Sequence, residues 1–151
     1  MLRPRFRDPY EGFMNALITA GAFGAVSGSR SMLGPALVAR AVSSSPPLAR
    51  ILSYLAAGEM AADKLPTIPA RTDTLPLFGR IVSGAIVGAS VCSRRQRVAC
   101  ALTGAAGALV AAYALTAGRR IAAQRQIPNA VAGAFEDVLA LGAGLWLVRR
   151  V

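Results

Sequence analysis

Long apolar stretches alternate with short basic or proline-rich segments along the chain. Five stretches approach the length of about 20 residues that a helix needs to cross a bilayer. They lie at residues 12–29, 48–64, 75–93, 98–118 and 128–148. The pattern predicts a single domain over residues 1–151, an all-α polytopic membrane helix bundle of about five transmembrane helices.

One apolar segment, residues 31–43, is too short to cross a bilayer alone. Two structures are compatible with it. It extends the first helix past a kink at Pro35, or it folds back as a re-entrant segment. Depending on this segment, the number of membrane helices is four to six.

Composition supports a membrane protein, because 54% of residues are hydrophobic and only 16% are charged, against about 25% charged residues in soluble domains. The chain has 17 basic and seven acidic residues, a net charge of +10. The arginines lie in short groups between the apolar stretches, as in the flanks of membrane spans. We therefore expect membrane lipids as partners and no nucleic acid. The basic residues are spread over both flanks, so both orientations remain open.

The scarcity of histidine and cysteine argues against most metal and nucleophilic catalytic sites. The chain has no histidine and only two cysteines, Cys92 and Cys100. A histidine and cysteine metal site or a Ser-His-Asp triad is therefore not expected. We predict no enzyme activity, no cofactor and no metal. The cysteines flank a basic turn and either form a disulfide across a helical hairpin or remain buried free thiols, and the second alternative is favoured.

Two acidic residues of the 48–64 stretch are the first candidate ligands. Glu59 and Asp63 are four residues apart and therefore lie on one helical face, where they could bind a small cation or share a proton. A central acid costs about 2.5–3.5 kcal/mol on membrane insertion, so its presence needs a reason. The alternative is that Asp63 and Lys64 lie at the membrane interface and only Glu59 is buried.

The other candidates lie in the 128–148 stretch and beside the first apolar stretch. Glu136 and Asp137 are adjacent, so their side chains diverge on a helix. We expect Glu136 to pair with Arg30, which precedes a kinking proline. Arg30 and Arg80 would compensate only two of the four acids, so at least one acid, expected to be Glu59, should take up a proton or bind a cation.

Glycines at helical spacing predict close helix contacts. The positions are Gly24 with Gly28, Gly84 with Gly88, and Gly104. Such faces serve contacts within one chain or between two copies. We expect a homo-oligomer, with a dimer favoured, because a few short helices enclose little space.

Three motifs resemble those of a known family. They are Arg30-Ser31-x-x-x-Pro35, Glu59-x-x-x-Asp63-Lys64-x-Pro66 and Glu136-Asp137. Together they look like the motifs of small bacterial integral membrane proteins known only as a domain of unknown function. The resemblance implies a multi-pass protein of the bacterial inner membrane and supplies no activity.

Acids within apolar spans are commonly functional. Our leading hypothesis is an ion or proton-coupled channel or transporter, with ligands from Glu59, Asp63, Glu136, Asp137 and Arg30. The alternative is a structural, assembly or lipid-interacting membrane module without transport activity.

Overall fold

The computed structural model describes residues 9–42, 45–62 and 73–150. These residues form no strand and six α-helices: α1 (Pro9–Ser29), α2 (Leu33–Val42), α3 (Pro46–Ala62), α4 (Thr74–Ser90), α5 (Arg97–Gln124) and α6 (Asn129–Val148). The all-α prediction is confirmed. The bundle of five membrane helices is not, because among the described helices only α5 and α6 are long and apolar enough to cross a membrane, and α4 is a shorter apolar helix.

Helix α5 is longer than the sequence pattern predicted. We expected a linker from Gly118 onwards, but the helix continues to Gln124. One glycine costs a helix only about 1 kcal/mol relative to alanine, and good helix formers follow it here. The helix ends just before Gln126, which adopts a positive φ of 57°, and Pro128 follows.

Three helices, α1, α4 and α5, pack backbone to backbone. Gly104 of α5 faces Gly24 of α1 and Gly84 of α4 so closely that a Cβ on any of the three would collide with main-chain atoms of its neighbour. Small residues permit this approach, which gains dispersion contacts along the helices. The predicted glycine contacts therefore form within one chain, and these faces are not available to a second copy.

The segment after α1 folds back instead of extending the helix. Gly34 of α2 lies against the Ser27 side chain and the Phe23 carbonyl of α1, so the start of α2 packs back against α1. On its other side, Leu37 contacts Gly144 of α6. The extension of α1 past a kink at Pro35 is therefore not observed, and the re-entrant segment stays a prediction; Val42 is the last of residues 31–43 in the described part of the chain.

The turn between α4 and α5 contains a disulfide. Cys92 and Cys100 are bonded, with their Cα atoms 6.5 Å apart. The expectation of two free thiols was wrong, because the short turn brings the end of α4 and the first turn of α5 within bonding distance.

The bundle combines an apolar core with buried charges and an apolar outer surface. Arg30, Arg80, Asp137, Ser27 and Ser83 are buried beside core residues such as Phe23 and Val87, and among the described residues Arg30 is the largest fully buried side chain. Large apolar side chains face outward on several helices. Examples more than half exposed are Met14, Ile18, Ile51, Leu75, Phe78, Ile86, Val98, Leu102, Val110, Phe135, Val138 and Leu145.

Candidate functional site

The candidate site is built around the break between α1 and α2. Pro35 lies in the first turn of α2, where its missing N–H is tolerated. For the same reason, the carbonyl of Ser31 receives no helical hydrogen bond from residue 35. The Ser83 hydroxyl of α4 donates a hydrogen bond to that carbonyl instead. The chain therefore breaks its helix inside the bundle, and a side chain of α4 replaces a main-chain partner.

The carbonyl end of α1 is bound by an arginine. Nη1 of Arg80, on α4, donates to the carbonyl oxygens of Gly28 at 2.8 Å and of Ser29 at 2.6 Å. The last carbonyls of a helix lack intrahelical partners and carry partial negative charge. The buried guanidinium of Arg80, a residue that is 5% exposed, supplies the hydrogen-bond donors and a positive charge next to these carbonyls.

The amide end of α2 is bound by a carboxylate. Glu59 of α3 accepts hydrogen bonds from the backbone N–H of Ser31 at 2.9 Å and of Met32 at 3.0 Å. The Ser31 hydroxyl donates to the same carboxylate at 2.9 Å. A helix N-terminus favours an anion through its free N–H groups and its dipole. Glu59 thus occupies the position of a bound anion.

The two groups at the break also contact each other. Nη2 of Arg80 is 3.4 Å from Oε1 of Glu59. One ion pair therefore serves both ends of the broken helix, the cation at the carbonyl end and the anion at the amide end. The arrangement couples α3 and α4 to the break between α1 and α2.

Arg30, the first residue after α1, forms a second buried ion pair. Its Nε and Nη2 donate to Oδ1 of Asp137 at 2.8 and 2.5 Å. The side chains of Arg30 and Asp137 are only 2% and 12% exposed. This pair joins the break to the middle of α6.

A third ion pair lies away from the break, between α5 and α6. Nε of Arg119 donates to both carboxylate oxygens of Glu136 at 3.1 and 3.2 Å. Nη1 of Arg119 also reaches the side-chain oxygen of Asn129 at 3.4 Å. The side chains of Arg119 and Glu136 are 20% and 11% exposed.

The structure places most of the candidates from the sequence analysis in these ion pairs. Arg30, Glu59 and Asp137 lie around the break, and Glu136 lies in the separate pair with Arg119. Asp63, the remaining candidate, lies outside the described residues.

The pairing of the buried acids goes beyond what we expected. Arg30 binds Asp137, the residue next to Glu136, and the expected contact of Arg30 with Glu136 stays a prediction. Neighbours on a helix point about 100° apart, so the rotation of α6 turns Asp137 towards Arg30. We also counted only Arg30 and Arg80 as buried counterions. Arg119 is a third, so each of the acids Glu59, Glu136 and Asp137 has an arginine.

Sequence reasoning missed Arg119 and Ser83. Arg119 was assigned to a membrane flank because α5 was predicted to end before it. A longer α5 followed by a short connector would have placed Arg119 beside Glu136. Ser83 gave no comparable signal, since a serine within an apolar helix is common. In the described parts of the chain, no three acidic or cysteine side chains come together as a metal site would require.

The chain was compared with known protein families, curated proteins and solved structures. Residues 14–149 match the family described as Domain of unknown function (DUF4126), and the chain belongs to that family. No curated protein matches it. No solved structure matches it either.

Proposed function

We propose that this family member is a multi-pass protein of the bacterial inner membrane that acts as a small ion or proton-coupled channel or transporter. Its site is the break between α1 and α2. The proposal of a membrane location is supported by the apolar exterior and charged interior of the helices. Helix α6, 20 residues long, is about 30 Å in length, the thickness of the hydrocarbon core.

The observation that carries the transport proposal is the broken helix with both ends bound by charged groups. Membrane transporters use such half-helix ends, with N–H groups facing anions and carbonyls facing cations. Here Glu59 and Arg80 take those two positions. Neutralising Glu59 would remove the charge that binds both the amide end of α2 and Arg80.

Flux measurements in proteoliposomes test this proposal. Proton, Na⁺ and K⁺ fluxes are measured for the wild type and for Glu59→Gln, which keeps the shape but not the charge. Glu11→Gln is the matched control, because Glu11 is an exposed acid in the first turn of α1. We expect wild-type flux, a loss of about ten-fold or more in Glu59→Gln, and no change in Glu11→Gln. Absence of all three fluxes in the wild type contradicts transport.

A second candidate function, a structural or assembly module, is favoured by the pairing of Glu59, Glu136 and Asp137 with arginines. In that case the ion pairs fix the register of the helices, and the protein transports no ion or proton. The same experiment separates the two proposals. A structural module gives no flux in any protein, while Glu59→Gln still lowers the midpoint of thermal unfolding.

The expected homodimer is part of this proposal. Because the glycine faces of α1, α4 and α5 are used within the chain, a dimer must form through outer apolar faces. The face of α3 with exposed Ile51, Tyr54 and Leu55 is one such surface. Native mass spectrometry in mild detergent measures the oligomeric state directly. A monomer at every protein concentration would contradict the dimer.

A further inference from the structure

A groove runs along the outside of the bundle where α6 stands apart from α5. It consists of two cavities of about 450 and 400 Å³. Both are lined by Ala114, Leu115, Glu136 and Leu139. We call this continuous feature the lateral groove.

The walls of the lateral groove are apolar along its length. From Val131 at one end to Leu147 at the other, it follows α6 for about 24 Å at 1.5 Å per residue. The main charged groups in the wall, Glu136 and Arg119, bind each other. The uncharged, extended part of a ligand can therefore lie against these walls without leaving a buried polar group unpaired.

The dimensions favour a single flexible chain over a helix. From Glu136 to Leu147 the groove is about 16 Å long, and a helix segment of that length and about 10 Å diameter would fill roughly 1,200 Å³. The empty space in that region is smaller, about 920 Å³, and part of it is open to the outside. A lipid acyl chain extends about 15 Å, half the thickness of the hydrocarbon core, and so matches the part of the groove from Glu136 to Leu147 in length.

Charge identifies the end at which a head group would lie. Residues 118–135 contain Arg119, Arg120 and Arg125 and no acidic residue. Arg120 and Arg125 are exposed, and Arg119 lines the groove. At the opposite end, Arg150 lies over the Trp146 ring at 3.7 Å and is not part of the lining.

We propose that the lateral groove binds an anionic phospholipid, with an acyl chain along α5 and α6 and the phosphate at Arg120 and Arg125. Cationic side chains beside a membrane bind anionic head groups electrostatically. The inference rests on the proposed membrane location and not on transport. Lipid binding and flux are measured separately, so either proposal can fail alone.

The experiment uses the full-length protein in mild detergent. Native mass spectrometry measures binding of phosphatidylglycerol and of phosphatidylcholine with identical acyl chains. We expect phosphatidylglycerol to bind more tightly. Ala114→Trp, which fills the middle of the groove, should lower binding of both lipids about ten-fold or more. Ala106→Trp, at an exposed alanine of α5 outside the groove lining, is the matched control and should bind as the wild type does.

Two double variants test where the phosphate of the head group lies. Arg120→Gln combined with Arg125→Gln should remove most of the preference for phosphatidylglycerol, an effect of about thirty-fold if both arginines contact the phosphate. Arg149→Gln combined with Arg150→Gln should keep the preference. Monodisperse elution and the Cys92–Cys100 disulfide serve as controls for folding.

Several results would overturn this inference. Equal binding of the two lipids would show that the groove does not select an anionic head group. A preference that is lost only in the double variant of Arg149 and Arg150 would place the head group at the opposite end of the groove. Unchanged lipid binding in Ala114→Trp would show that lipid does not bind in the lateral groove. If Ala114→Trp instead converts a dimer to a monomer, the occupant is a second copy of the chain. Extraction of the protein from membranes by alkaline carbonate would contradict the membrane location itself.

Discussion

The two regions that contain buried ion pairs differ in what their arginines bind. At the break between α1 and α2, Arg80 binds main-chain carbonyls as well as Glu59. Near the connector of α5 and α6, Arg119 binds the side chains of Glu136 and Asn129. The first region binds main-chain groups that the break leaves without helical partners. The second joins α5 and α6 through side chains.

This comparison predicts that Arg80→Met has the largest effect on stability. The substitution removes donors from the carbonyls of Gly28 and Ser29 and leaves Glu59 without this cation. Breaking one partner of a buried ion pair costs about 3–5 kcal/mol. Thermal unfolding in detergent measures the change. A shift no larger than that of a surface arginine variant such as Arg94→Gln would show that the break does not depend on Arg80.

The pair of Arg30 and Asp137 gives the next prediction, a double-mutant cycle. Arg30→Met or Asp137→Leu alone removes one partner of a buried ion pair and should cost about 3–5 kcal/mol. The double variant replaces the pair by apolar side chains and should recover most of that loss. If the two single effects simply add, the pair does not act as a unit.

Arg119→Gln should have a smaller effect, about 1–2 kcal/mol. The Arg119 side chain is 20% exposed, against 6% for Arg80, so water can replace part of what the substitution removes. The unfolding midpoint, compared directly with that of Arg80→Met, measures the difference between the two regions. An equal or larger loss in Arg119→Gln would reverse the comparison.

The smallest predicted effect is that of Ser83→Ala, about 1 kcal/mol for one neutral hydrogen bond to a buried carbonyl. The oxygen of Ser31 loses the hydroxyl of Ser83, while Arg80 and Glu59 still bind the two ends of the break. Ser90→Ala is a matched control, because its hydroxyl donates only within its own helix and is exposed. Equal unfolding midpoints for the two variants would show that the bond to Ser31 adds nothing.

The candidate site was partly predictable because charge inside an apolar stretch is visible in the sequence. Arg30, Glu59 and Asp137 stand out for that reason, and Pro35 indicated a break or a kink close to them. The identity of each pair was not predictable. It depends on the rotation of α6, on the length of α5 and on the direction of α2, none of which a local pattern determines.

The sequence by itself determined that the chain is helical, that its helices approach closely at Gly24, Gly84 and Gly104, and that its few acids need compensation. These are consequences of residue type and helical spacing. Only the tertiary structure decided that the start of α2 packs back against α1, so that Glu59 and Arg80 meet at the two ends of one broken helix. Those contacts join residues far apart in the chain, and their geometry exists only once α3 and α4 have packed around the break.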